Sequence, residues 1–307
     1  MNIGGFLRNV ATALSYPHYA CQPWHIVERL MQGAPPSAEQ VDVELPWGHI
    51  LSVSPKTHIG HILWEHTLYD HTVSEALWRL SVPGACHVDV GAHIGYTTSL
   101  LAHRAGPTGI VHAVEPHPVL NKALRANVSR IEQSVTTDIV IHPVALSSHS
   151  GVEEIGWDEA FETNRGTASL EKRNARHRTP VQCMRLDDLL PDARIEVVKI
   201  DVEGHEGAVL KGATQTLAEQ RIRHIVYESH ADAQPSCHAI LSEAGYSLFQ
   251  LGWRSFRPVL WPIGADATGH IPSSPVFLAT QAPAVVQQRY RAWGWHCLSG
   301  NDRTGMA

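Results

Sequence analysis

The chain has 307 residues, of which 43% are hydrophobic and 18% charged, and a formal net charge of −6. This length and balance suit one large α/β domain with a smaller annex and exclude a disordered chain. The acidic balance lacks the basic footprint of nonspecific nucleic-acid binding, and no apolar run approaches the roughly 18 residues needed to cross a bilayer.

The first 81 residues read as a helical and hairpin annex. The first twenty carry only Arg8 as a basic residue and no apolar h-region, so a signal peptide is not expected and the cytoplasm is the expected location. Trp24, Val27, Leu30 and Met31 have helical spacing, which ends at QGAPP (32–36). VDVEL (41–45) alternates, PWG (46–48) turns the chain and ILSV (50–53) returns it, the pattern of a β-hairpin. A helix over 74–80 and Pro83-Gly84 close the annex.

Residues 82–283 form the main domain, in which strands expected at 86–90, 110–114, 139–142, 196–200, 224–228, 246–250 and 275–279 alternate with helices at 96–104, 118–129, 206–219 and 236–243. Such alternation predicts a mostly parallel sheet covered on both faces, with a late antiparallel hairpin. Residues 164–180, with Arg165, Lys172, Arg173, Arg176 and Arg178, read as a basic, mobile insertion, and 284–307 as a C-terminal tail. Five scattered cysteines without a C-x-x-C pair fit reduced thiols. The 21 histidines include no H-E-x-x-H and no Cys/His grouping, so no metal site is assigned to them.

Two stretches concentrate the chemistry. In VDVGAHIGY (88–96), a strand runs into a turn bearing Gly91 and Gly95, where the backbone can approach a ligand, and the helix opening at Tyr96 points its N–H groups at that space. Twenty residues past Gly95, Glu115 ends the next strand, placed to accept hydrogen bonds from ribose hydroxyls, and Pro116 fixes its turn. These features fit S-adenosylmethionine and NAD alike. The G-x-x-x-G spacing is not the dinucleotide fingerprint and no Tyr-x-x-x-Lys dyad occurs, so the balance tips away from NAD. In VVKIDVEGHE (197–206), Asp201 and Glu203 emerge at the tip of the fourth strand, with Gly204, His205 and Glu206 following; Glu206 suits the first turn of the next helix. Glu228 and His230 reach the same rim from the next strand.

The glycine turn, the Glu-Pro pair, Leu186-Asp187-Asp188 and Lys-Ile-Asp-Val-Glu-Gly resemble, in order and spacing, the FkbM family of S-adenosylmethionine-dependent methyltransferases, over about 69–230. The resemblance implies a class I methyltransferase (Rossmann-like) fold with a seven-stranded, mostly parallel sheet. It implies a cofactor site at Asp89, Gly91, His93, Gly95, Tyr96, Glu115, Pro116, Ala145 and Asp201, with His93 standing where the family often has Asn, a contact that could become pH-sensitive. It also implies transfer of a methyl group to a hydroxyl of a sugar or natural product, with Asp201, Glu203, His205 and His230 as candidate catalytic residues and Asp201 the preferred base. A version in which Asp201, Glu203 and Glu228 hold Mg²⁺ is less favoured. The expected partner is a small-molecule acceptor, with self-association left open. The alternatives are a nucleotide (NAD)-dependent oxidoreductase or epimerase on a similar sheet, and a non-catalytic cofactor-binding scaffold.

Overall fold

The computed structural model describes residues 37–172, 174–229, 234–254, 257–272 and 274–299, with Trp24 and Met31. The expected helix over 24–31 therefore lies mostly outside the described residues, as does His230. The described chain opens on the antiparallel hairpin of β1 (Val41–Glu44) and β2 (Ile50–Val53), then α1 (His58–His66) and α2 (His71–Leu80). Strand–helix alternation follows with β3 (Cys86–Val90), α3 (Tyr96–Ala105), β4 (Ile110–Val114), α4 (Pro118–Ile131) and β5 (Asp138–His142). A smaller group comprises β6 (Val144–Leu146), β7 (Gly151–Trp157), β8 (His177–Met184) and α5 (Leu186–Leu189). The chain then returns through β9 (Ile195–Ile200), α6 (Glu206–Lys211), α7 (Thr214–Ala218), β10 (Ile222–Glu228) and α8 (Gln234–Glu243). It ends with β11 (Ser247–Arg254), β12 (Arg257–Pro262), β13 (Val276–Thr280) and α9 (Pro283–Arg291).

The main sheet has the order β12-β11-β13-β10-β9-β3-β4-β5. Strands β5, β4, β3, β9 and β10 are parallel, and β13 runs antiparallel between β10 and β11. This is the α/β, Rossmann-like architecture expected from the sequence. All seven expected strands share the sheet, and β12 adds an eighth. Its sequence RPVLWP reads as a connection because of its two prolines, but a strand paired on one side only tolerates residues that cannot donate to a ladder.

Two other expectations are corrected. The helix read over 206–219 is two helices, because the chain at Gly212 passes so close to Ser147 that a Cβ there would lie 2.0 Å from the Ser147 carbonyl oxygen. The basic stretch 164–180 is not simply an inserted loop. It contains a 3-10 turn at Arg165–Thr167, a bridge between Gly156 and Ser169, and the start of β8, which pairs with both β6 and β7. Polar residues on the outer face of β8, together with Pro180, hide its strand character.

Apolar residues on the two faces of the sheet build two cores. One joins Val111, Val197 and Val226 to Leu77, Trp78, Leu100 and Leu101; the other joins Val198, Ile200, Ile225 and Tyr227 to Val209, Leu210, Leu217 and Leu241. Helix α2 belongs to the first core: every residue from Thr72 to Leu80 is buried. Its Glu75 and Arg79 form an ion pair with both side chains fully buried, at 2.6 Å. The remaining valences reach the end of the chain. Arg79 donates to the carbonyls of Arg289 and Gly294, and the Cys297 N–H donates to Glu75 Oε2 at 3.0 Å. The stretch expected as a tail thus carries α9 and a 3-10 turn at His296–Leu298 that is docked on α2. Among the described residues, no helix is long and apolar enough to cross a membrane, and Cys86, Cys183 and Cys237 are free thiols.

Many histidines are core residues rather than ligands. Burial holds His49, His71 and His87 at about 4, well below the usual imidazole value, and burial with Arg223 and Arg289 holds His224 lower still, at about 3. The unfolded chain takes up these protons near pH 6.5 while the folded chain refuses them until about pH 4. Stability is therefore complete above about pH 6.5 and falls as pH drops below it. Thermal melts at pH 7.5 and pH 5 are expected to show this loss, and His87→Phe to diminish it. Arg79→Ala strands the buried Glu75 carboxylate and is expected to cost about 3–5 kcal/mol in urea unfolding, whereas the double replacement Glu75→Leu with Arg79→Met costs much less.

Candidate active site

Parallel strands on either side of a switch point leave a crevice outside their carboxyl ends. Here β3 pairs with β4 on one side and β9 on the other, and the crevice opens above their tips. The space in and above the cleft, open solvent at its mouth included, is about 1190 Å³. It brings together Gly91, His93, Tyr96, Glu115, Pro116, Ala145, Asp201, Glu203, His205 and Glu228. Two expected cofactor residues, Asp89 and Gly95, do not line it.

Asp89 lies beneath the cleft floor, fully buried. Its Oδ2 accepts from Thr97 Oγ1 at 2.7 Å and Thr98 Oγ1 at 2.6 Å, which pins the first turn of α3 to the end of β3. Its Oδ1 faces Lys199 Nζ at 3.5 Å. Lys199 also lies 3.4 Å from Asp201 Oδ2 and donates to the Gly91 carbonyl at 2.8 Å. Burial alone would lower the lysine pKa, but the two carboxylates outweigh it and hold the ammonium charged. Sequence reasoning quoted this lysine but gave it no role. A lysine at the tip of an otherwise apolar buried strand was the available signal.

Gly91 is required by the same junction. Its φ is +79°, and a Cβ would stand 1.9 Å from the Asp201 carbonyl oxygen. The Asp201 N–H in turn donates to the Val90 carbonyl at 3.1 Å. The glycine therefore lets the two strand tips meet as well as leaving the turn open. Asn127, buried on α4, fixes the turn from behind by donating to the Ile94 carbonyl at 2.8 Å, and its Oδ1 receives the Ser52 N–H of the hairpin.

On the cofactor edge, Glu115 accepts from the His93 N–H and the His117 N–H, each at 2.9 Å, one to each carboxyl oxygen. Burial pushes its carboxyl up to about 7 against those two bonds. A hydroxyl pair from a ligand would find a rigidly aimed carboxylate with lone pairs to spare. His93 has a left-handed φ of +53°, and its imidazole is pushed down to about 4 by burial, with Lys199 adding to the effect. It stays neutral through the physiological range, so the pH-sensitive contact expected there is not favoured. Tyr96 is buried, its hydroxyl 2.8 Å from Ser74 Oγ and its ring against Trp47 and Tyr69, so it joins α3 to the annex.

On the reaction edge, Glu203 has a left-handed φ of +52° beside Gly204 at +97°, a strained backbone pair. Its Oε1 lies where a Cβ on Gly166 would meet it at 3.3 Å. Glu203 is an exposed residue, yet partial burial of its carboxyl, then Asp201 and Glu206, raise it to about 7; remaining contact with water tempers the effect. Burial and the neighbouring Asp201 also raise Glu228. Asp70, which sequence reasoning missed, caps α2 by accepting from the Thr72 and Val73 N–H groups and is raised to about 6, chiefly by burial. His205 is otherwise engaged: Nδ1 lies 2.7 Å from Glu171 Oε1 and Nε2 3.0 Å from Ser147 Oγ. With Ser169 Oγ donating to the Glu203 carbonyl at 2.8 Å, it moors the segment 158–176, here the arm, to the reaction edge. Glu206 accepts from the Val202 and Gly204 N–H groups, the turn role expected of it. Among the described residues no three His, Cys, Asp or Glu side chains are grouped as a metal ion requires.

The model of the methyltransferase FkbM domain matches residues 89–248, just over half of the chain. The chain belongs to the FkbM methyltransferase family. A hexuronic acid methyltransferase of Haloferax volcanii is 31% identical over 163 residues, covering 52% of this FkbM-family chain and 62% of the relative. A 31-O-demethyl-FK506 methyltransferase of Streptomyces tacrolimicus is 31% identical over 176 residues, covering 48% of the chain and 66% of the relative. The chain thus spans less than two thirds of the length of either. A solved S-adenosylmethionine-dependent O-methyltransferase from Thermotoga maritima is 10% identical, with a TM-score of 0.43 over 81% of this chain and 95% of that one.

Lys199→Met removes the cation between Asp89 and Asp201 without removing packing volume. We expect a loss of about 3 kcal/mol in denaturant unfolding, largely recovered when Asp89→Asn is added. Equal loss in the single and double variants would show that the charges are not coupled.

Proposed function

We propose that this protein transfers the methyl group of S-adenosylmethionine to a hydroxyl of a small molecule, a sugar or a natural-product alcohol. The observation that carries this reading is one cleft with two chemically distinct edges. Glu115, aimed by two backbone N–H groups beside the Gly91 turn, faces carboxylates at the tips of β9 and β10. The residues fit the cofactor: the glycine turn leaves room for a backbone-close ligand, Glu115 suits two ribose hydroxyls, and Pro116 and Ala145 add apolar lining. We assign Gly91, His93, Tyr96, Glu115, Pro116 and Ala145 to its binding, with Asp89 and Gly95 supporting the turn from below. The names of the two relatives, acting on a hexuronic acid and on demethyl-FK506, support a polyhydroxylated acceptor. No feature of the cleft favours the oxidoreductase or scaffold readings. The free thiols support a cytoplasmic location.

When bound, S-adenosylmethionine supplies a methyl group already activated on a sulfonium. The protein then has to align a hydroxyl with it and take the hydroxyl proton. Asp201 is occupied by Lys199, whose ammonium lies 3.4 Å from its Oδ2. Glu203 forms no ion pair among the described residues and is raised to about 7, chiefly by burial, the better match for a general base near neutral pH. We therefore assign proton removal to Glu203, electrostatic support of the reacting centre to Asp201, and positioning of the arm to His205. No step requires Mg²⁺. His230 remains a candidate at the rim.

Isothermal titration with S-adenosylhomocysteine tests the cofactor edge. Binding is expected for the native protein and at least about tenfold weaker for Glu115→Gln, which keeps the shape but loses the charge. Binding of NAD⁺ in its place, or of neither, would overturn the proposal. Methylation of hexuronic acids and macrocyclic alcohols is expected to rise with pH to a plateau, with its midpoint at or below about 7 because the bound sulfonium favours ionised Glu203. Glu203→Gln is expected to lower the rate about 100-fold or more and abolish that rise.

A further inference from the structure

The arm places Arg165 on the cleft wall, with His93 and His117 among the other lining residues. The residue is half-buried, and its Nε is shielded from water without a hydrogen-bond partner. Its guanidinium makes no hydrogen bond or ion pair among the described residues. Yet Asp70, Glu115, Asp201, Glu203 and Glu228 line the same cleft. Two nearby arginines differ: Arg176 of the arm pairs with Glu159, and Arg178 on β8 pairs with Glu154.

The Arg165 charge acts on two imidazoles, His93 and His117, that cannot serve as counter-ions. His117 is buried against Trp157 and Phe161, at ring distances of 4.7 and 4.5 Å, and neither ring nitrogen has a partner. The Arg165 charge adds to burial in lowering both His93 and His117. A guanidinium withdrawn from water beside neutral rings pays desolvation without compensation unless something else brings an anion. Its planar fork matches a carboxylate with two parallel hydrogen bonds.

We propose that Arg165 is a carboxylate-binding residue whose counter-ion is delivered by the ligand, across the glycine turn from the carboxylate rim. This rests on the methyltransferase reading and deepens it. Two ligands could bring that carboxylate: the amino-acid end of the cofactor, or a uronate acceptor. The position over His93 favours the cofactor. The arm, moored by Ser169 and Glu171, would then contribute directly to cofactor affinity as well as shaping the acceptor space.

The test uses S-adenosylhomocysteine, which carries the carboxylate, beside 5′-methylthioadenosine, which lacks the amino-acid end. Titrations compare the native protein, Arg165→Lys and Arg165→Gln. The expected result is a loss of roughly 10- to 100-fold in S-adenosylhomocysteine affinity for Arg165→Gln, partial retention in Arg165→Lys, and methylthioadenosine binding within twofold throughout. If S-adenosylhomocysteine binding is unchanged but the protein saturated with it loses a preference for glucuronate over glucose in Arg165→Gln, the carboxylate is the acceptor's. If neither carboxylate-dependent difference moves, or both nucleosides weaken equally, the proposal is overturned. Melting separates it from a structural role, because removing an uncompensated charge should leave Tm unchanged or raise it. Failure of the native protein to bind S-adenosylhomocysteine sinks the cofactor reading itself, whereas native binding that survives in Arg165→Gln sinks only the Arg165 assignment.

Discussion

The buried ammonium of Lys199 is the constraint on which the site depends. It stands between Asp89 at the end of β3 and Asp201 just past β9, and it donates to the carbonyl of Gly91. A cation in that position makes three demands: two carboxylates close by, a backbone that turns without a Cβ, and strand tips that meet. Asp89, Asp201 and Gly91 meet them. Breaking the group would leave charges in a poorly solvated place, so the two edges of the cleft are held together by the cost of separating them.

From that junction the site divides its charge. The cofactor edge holds one carboxyl, Glu115, in a cage of backbone N–H groups, with imidazoles kept neutral by burial. The reaction edge crowds Asp70, Asp201, Glu203 and Glu228 together, and burial with mutual repulsion raises several of them toward neutrality. Such a rim is ready to hold protons or give them up near neutral pH, and a cationic sulfonium entering it would find favourable company. The arm adds a guanidinium to the cleft lining, that of Arg165.

The N-terminal and C-terminal segments serve the same cleft from outside. Helix α2 brings Asp70 to the rim through its first turn and Tyr69 to the aromatic wall, and its Glu75–Arg79 pair anchors the last described residues. Trp47 donates to Ser99 on α3 at 3.1 Å, and the Ser52 N–H reaches Asn127 on α4. The annex is therefore part of how the glycine turn is held, although its hairpin makes a separate two-stranded sheet.

Seven strands of the main sheet, the glycine turn, the Glu-Pro pair and the acidic tip of β9 were legible in the chain, whereas β6, β7, β8 and β12 were not. Each is a local pattern: an apolar run, a residue that permits a turn, a polar group at fixed distance. The hairpin of β1 and β2 was legible for the same reason, through alternation around Pro46-Trp-Gly48. What local pattern cannot carry is the choice of neighbour. Asp89 reads as a ligand at the end of a strand, and only packing of α3 reveals that Thr97 and Thr98 consume one of its oxygens. His205 reads as a base, and only the return of the arm shows both its nitrogens engaged. Lys199, Asp70 and Arg165 lie far apart in the sequence and acquire meaning from what surrounds them in the cleft. The sequence by itself determined the sheet, its two chemical edges and the family. The tertiary structure decided which carboxylates are paired, which are raised and which cation lacks a partner, because desolvation and charge compensation depend on distances between groups that only folding brings together.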